Sequence, residues 1–289
     1  MKISTTTDKL DQVFGLQKAI DILAEAGYDA LDFSNFRPEH YTDVHDENFY
    51  KEMRKYAEDK GLYFNQSHAP FPSSYEEADK TEQRFQDLVI AMRNASLLGV
   101  RNIIVHPMQH LTYCKEDNPE KLFEDNMKFY RSLIPYCEEY NIKVACENMW
   151  QYTNGMIDHS VCSRAWEFTK YLDTLDSEWI VACLDIGHAN LVRENPDEFI
   201  RTLGSKRLKC LHVHDVDGTQ DSHTLPFFGV GQWNKIMKAL ADIDYEGEIT
   251  FEADSFMARK PVELLPDCAK YMAAVGRCLA DKFEAYKKA

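Results

Sequence analysis

Arg84 to His106 reads RFQDLVIAMRNASLLGVRNIIVH. Phe85, Leu88, Val89, Met92 and Ser96 fall on one face of a helix. Gly99 supplies the left-handed residue that ends such a helix. The following RNIIVH reads as a buried strand that finishes on a polar side chain, His106. Helix, glycine, apolar strand and polar strand end together form one unit of a repeating pattern.

The pattern recurs along the chain. ILAEAGYDALDF passes through Gly27 to Asp32, and YAEDKGLYFNQSH passes through Gly61 to His68. CEEYNIKVACE puts Asn141 where glycine stood and ends at Glu147, while IDYEGEITFE ends at Glu252. EWIVACLD, ending at Asp185, and RLKCLH, ending at His212, fit without the glycine. KISTT at the start completes eight strands. Helical periodicity occupies residues 11–26, 46–60, 76–98, 118–140, 161–175, 196–204, 232–242 and 262–286. The strands are continuously apolar, as in a parallel sheet covered by helices. Eight such units predict a single α/β domain over 1–289, a closed (β/α)8 TIM barrel with its active site at the C-terminal mouth of the strands. A doubly wound open sheet competes, but no glycine-rich phosphate loop follows the first strand.

The third to eighth predicted strands finish on His68, His106, Glu147, Asp185, His212 and Glu252. In a barrel these ends converge. Two like unit charges roughly 4 Å apart cost about 4 kcal/mol at an effective dielectric near ~20. A divalent cation removes that repulsion, and mixed carboxylate and imidazole donors suit manganese, cobalt, magnesium or zinc; manganese is the ion expected first. His212 is preferred over His214 as a ligand because it directly follows the apolar run; His214 then supports it. Glu252 is preferred over Asp254. His68, His106, His188, Asp221 and His223 are candidates for substrate binding or for further metal ligation. His40, His45, His110 and His159 are expected in solvated loops.

Net charge is −15, from 33 basic and 48 acidic residues. That field opposes a phosphate backbone, and no Lys/Arg cluster offsets it, so nucleic acid is not expected as a partner. None of the eight cysteines forms a C-x-x-C pair, which excludes zinc-ribbon and thioredoxin readings. Without a signal peptide or a membrane-length apolar run, a soluble cytoplasmic protein is expected.

With these residues assembled, the chain resembles the xylose isomerase-like TIM-barrel superfamily, in its sugar phosphate isomerase/epimerase group related to tagatose 3-epimerase. The resemblance rests on SHAPFP from Ser67, IIVHP to Pro107, CEN at 146–148, CLDIGH to His188, LHVHD to Asp215, HTLPFFGVGQW from His223 and FEAD at 251–254. It implies a divalent metal held by Glu147, Asp185, His212 and Glu252. It implies that Glu147 and Glu252 move the proton on a carbon next to a carbonyl, through a metal-stabilised enediolate of a small sugar, and that His188 holds a substrate hydroxyl. The related epimerases also bind substrate through an arginine near the strand-seven histidine, and HVHDVDGTQDSH has none. The same fold serves endonuclease-four-type AP endonucleases. Their three-zinc ligand set is matched by His68, His106, Glu147, Asp185, His188, His212, Asp221, His223 and Glu252, which raises the prospect of more than one ion. Dehydratase or lyase chemistry of the inosose type, a zinc AP endonuclease and a non-catalytic carbohydrate-binding protein are the competing functions. A homo-oligomer is compatible with the fold. No basic cradle for a phosphate is evident, which favours a free sugar.

Overall fold

The strands form where apolar runs precede the polar ends, and their order closes a ring. The structure, a computed structural model, describes residues 1–42 and 44–288. The strands are β1 (Ile3–Thr5), β2 (Ala30–Ser34), β3 (Tyr63–His68), β4 (Asn102–Ile104), β5 (Lys143–Glu147), β6 (Trp150–Thr153), β7 (Met156–His159), β8 (Ile180–Asp185), β9 (Leu208–His212) and β10 (Ile249–Phe251). Parallel pairing runs β2-β3-β4-β5-β8-β9, and β1 pairs in parallel with β10. Two isolated parallel bridges, Thr6 with Asp32 and Val213 with Phe251, join the two sheets. Eight parallel strands therefore close into a TIM barrel, as the repeated pattern predicts. Strands β6 and β7 stand outside the ring as an antiparallel hairpin.

The helices follow the predicted segments closely. One difference is local: the segment predicted as a helix over 11–26 is two helices, Asp8–Phe14 and Leu16–Ala26. Gly15 divides them with φ at +82°. Left-handed residues end helices where the sequence placed them. Gly27 sits at φ +91° and donates its N–H to Ala24 O, and Asn141 sits at φ +50° and donates to Cys137 O. The hairpin was not anticipated, although Asn154-Gly155 supplies the two positive-φ residues of a tight turn. Among the described residues no helix is long and apolar enough to cross a membrane.

The period of two along a strand sorts side chains into two populations. Ile103, Val144, Ala182 and Leu211 belong to the large core between sheet and helices. Ile104, Ala145, Val181, Cys183 and Cys210 form a separate small cluster inside the ring. Two residues beyond the inward Ile104, Ala145, Cys183 and Cys210 stand His106, Glu147, Asp185 and His212. The pleat thus aims these four into the mouth.

Candidate metal centre at the barrel mouth

Four of the six predicted polar ends coincide with observed strand ends: His68, Glu147, Asp185 and His212. Strand β4 stops at Ile104, so His106 lies two residues beyond it, and Glu252 lies one beyond β10. All six converge nonetheless. His212 Nδ1 is 3.1 Å from Glu147 Oε1 and 3.1 Å from Glu252 Oε2. It is 3.9 Å from Asp185 Oδ2. On the other side of Glu147, Oε2 has His106 Nε2 at 3.2 Å and His68 Nε2 at 3.7 Å.

The loops add a second group. His188 sits in the helix Ile186–Leu191, whose first turn is capped by Asp185 accepting His188 N–H at 2.7 Å. Its Nε2 is 3.3 Å from Asp221 Oδ2, and His223 Nε2 is 3.0 Å from the same oxygen. His214 Nε2 is 3.0 Å from the Asp185 carboxylate, and its ring stacks on His223 with centroids 4.0 Å apart. Gly187 makes room for that ring, because a Cβ there would lie 2.0 Å from His214 Cε1.

Each group fits a divalent ion. Glu147, Asp185, His212 and Glu252 offer one atom each, all within 4.8 Å of one another, and so do His68, His106 and Glu147. The same holds for His68, His212 and Glu252, and for His188, His214, Asp221 and His223. Glu147 Oε2 and Asp221 Oδ1 are buried oxygens without a well-aligned hydrogen bond. Unsatisfied carboxylate oxygens in a dry site cost several kcal/mol unless a cation or donor meets them.

Within the protein alone, histidines neutralise the carboxylates. Burial by itself would raise Glu147, but the charges of His212 and His106 hold it well below the usual range. For Glu252 burial prevails over His212 and His223 and pushes it up. Burial would lower His223, yet the Asp221 hydrogen bond and the Glu252 charge push it up to about 10. Burial would likewise lower His188, but the charges of Asp185 and Asp221 override it and push the ring well above the usual range. Metal binding at such histidines releases protons.

Three residues not assigned to the site from sequence, Asp32, Asn148 and Trp150, support it. Asp32 is fully buried with Oδ2 3.8 Å from His212 Nε2, and Gln66 donates to the same oxygen at 2.9 Å. The strand expected to end at Asp32 runs on to Ser34, so Asp32 lies within β2 rather than at its end. Asn148 clamps the β8 end: its side chain accepts Asp185 N–H at 2.7 Å and donates to Asp185 O at 3.0 Å. Trp150 on the hairpin donates Nε1–H to Asp221 Oδ2 at 3.1 Å.

Of the four histidines expected in solvated loops, His45 and His110 lie in loops and are half-buried, whereas His40 and His159 do not lie in loops. His40 is buried at 3% exposure, with Nδ1 3.1 Å from Ser34 O and Nε2 3.3 Å from Asp11. The Asp11 and Arg37 pair beside it supplies a charged niche that draws the ring in. His159 lies on β7 with Nδ1 3.0 Å from Ser163 Oγ, His110 is half-buried against Ser74, and His45 stacks on Phe49. Asp254 takes Thr6 Oγ1–H at 2.5 Å and joins none of the four groups.

Comparison with known proteins agrees with this architecture. The chain is 26% identical to an uncharacterized protein of Methanocaldococcus jannaschii over 98% of both chains. It is 24% identical to a D-psicose 3-epimerase of Enterocloster bolteae over 70% of this chain and 65% of that one. Coverage of curated relatives ranges widely, and one from Sinorhizobium fredii is matched over 49% of its length. A crystal structure of D-psicose 3-epimerase in the presence of D-fructose superimposes with a TM-score of 0.75 at 17% identity, covering 96% of this chain and 99% of that one. Residues 20–273 match the family described as the xylose isomerase-like TIM barrel, and the chain belongs to that family.

Proposed function

We propose that the protein is a divalent-metal-dependent sugar isomerase or epimerase that moves a proton on the carbon beside a carbonyl. One observation carries this reading: Glu147, at the end of β5, and Glu252, just past β10, meet at one histidine nitrogen, 3.1 Å from each. Two carboxylates so placed reach a small substrate from different sides. Glu147, Asp185, His212 and Glu252 would hold the ion, which when bound polarises the carbonyl and offsets the charge developing as the carbon loses its proton. Glu147 and Glu252 take the proton and return it on the opposite face. His68, His106 and His188 line the same space and offer donors to sugar hydroxyls. Support comes from the epimerase names among the relatives. Asp221 and His223, with His188 and His214, leave room for a further ion.

The test is metal content and turnover on one preparation, purified without chelator or nickel resin. About one divalent ion per chain and deuterium incorporation from solvent into a ketose are expected. Glu147→Gln and Glu252→Gln should each lower kcat by roughly 100-fold or more. Absence of metal after soaking, or zinc at two or three per chain with cleavage of abasic DNA and no ketose exchange, would overturn the reading.

A further inference from the structure

The loop from Asp215 to Trp233 has no helix or strand of its own until Trp233, yet it places two of the converging donors. Its anchor is one buried side chain. The Asp215 carboxylate accepts four N–H groups. Oδ1 takes Val216 N–H at 3.0 Å and Gly231 N–H at 2.9 Å. Oδ2 takes Phe227 N–H at 3.1 Å and the Trp233 indole N–H at 2.9 Å. The backbone of Asp215 pairs in both directions with Thr224, at 2.8 and 3.1 Å, so residues 216–223 form a closed noose. Two glycines permit the close approach. A Cβ on Gly229 would lie 2.5 Å from Asp215 Oδ1 and 2.1 Å from Val216 O, and one on Gly231 would lie 3.1 Å from Asp215 Oδ1.

What the noose presents is Asp221 and His223. Asp221 Oδ2 gathers His188 Nε2, His223 Nε2 and the Trp150 indole, while His223 Nδ1 is 2.8 Å from Glu252 O. His223 holds φ at +40°, a conformation that needs its surroundings to sustain it. The Asp215 carboxylate touches neither Asp221 nor His223. Its acceptors fix both ends of the segment that carries them.

We propose that Asp215 is a positioning residue: it sets Asp221 and His223 at the mouth, and with them the loop's share of the donor set. Any consequence for turnover rests on the proposed function; the geometric claim does not.

Trp150 and Trp233 separate this role from simple local support. The Trp233 indole is bound by Asp215 itself, so it changes in any Asp215 variant. The Trp150 indole is bound by Asp221, on the far side of the noose. The experiment follows both indole N–H resonances in 15N-labelled full-length protein, assigned with Trp150→Phe and Trp233→Phe. Asp221→Ala gives the resonance of Trp150 without its acceptor. In Asp215→Ala, the Trp150 N–H is expected to move toward the Asp221→Ala position and to exchange with solvent about tenfold faster. Asp215→Asn keeps one acceptor oxygen and should fall between; it is the variant read if Asp215→Ala does not fold. A Trp150 resonance unchanged in shift and exchange while that of Trp233 moves would overturn the proposal. A wild-type protein without ketose turnover would count against the proposed function and leave this result standing.

Discussion

Asp185 serves two neighbours, and that division separates the two histidines of the HVH stretch. One oxygen caps the helix Ile186–Leu191, and the carboxylate also faces His214 at 3.0 Å. His214 therefore acts on the Glu147, Asp185, His212 and Glu252 group through Asp185, whereas His212 stands between the two glutamates. His212→Ala is expected to abolish metal retention, while His214→Ala keeps the ion with affinity lowered roughly 10- to 100-fold. Metal content after dialysis measures this, and equal retention in both variants would refute the assignment. Glu167, away from the mouth, gives a pH effect. Burial pushes its carboxyl from the ordinary 4.5 up to about 7, against the lowering effect of the Tyr113 hydrogen bond and Arg164. The folded chain then holds a proton that the unfolded chain releases. Stability is full below about 4.5 and falls as pH rises toward about 7, by on the order of 3 kcal/mol. Glu167→Gln keeps an acceptor for Tyr113 and should flatten that slope in melting curves taken from pH 4 to 8. An unchanged slope would show that another group causes it.

At the scale of elements, helix ends carry the legible punctuation. Gly27 has φ +91° and open space where a Cβ would point. Substitution there meets no clash, so its cost is conformational. Gly27→Ala should lose about 1 kcal/mol of stability, and Gly27→Asn less, because asparagine tolerates the left-handed region. Denaturant midpoints at constant slope would measure both; a neutral Gly27→Ala would show that the cap can relax. The hairpin β6–β7 shows where reading stops short. Asn154-Gly155 is a strong turn signal, but its flanking strands are four residues each and half exposed, so no apolar run announces them. Trp150 gains its importance only when the fold carries Asp221 to it from 71 residues away.

For the whole molecule, burying Glu147, Asp185 and Glu252 together around His212, with Asp32 beneath it, is an electrostatic burden in a chain of net charge −15. Histidine neighbours offset part of it. A divalent ion that binds only the folded state should offset more. At a hundred times its dissociation constant such an ion contributes about 2.7 kcal/mol, or roughly 5 °C or more in melting temperature for a chain this long. Manganese and zinc titrations of chelator-treated protein test this. A melting temperature indifferent to every divalent ion would remove the basis for a metal centre.

The amino-acid order by itself determined the ring of eight strand and helix units and the polar ends of four strands at His68, Glu147, Asp185 and His212, with His106 and Glu252 one or two residues past theirs. Both are local facts: short apolar runs, left-handed caps such as Gly27, Gly61, Gly99 and Asn141, and a polar residue at or just past the end of most strands. The tertiary structure alone decided which ends meet. His106 reaches Glu147 although β4 ends two residues earlier, and Asp32 comes under His212 because the barrel closes through the Thr6 and Asp32 bridge. It also decided that His40 is buried, and that a loop without regular structure returns Asp221 and His223 over the mouth. Those outcomes depend on contacts between residues tens to hundreds of positions apart, set by barrel closure and by single hubs such as Asp215, and no local period encodes them.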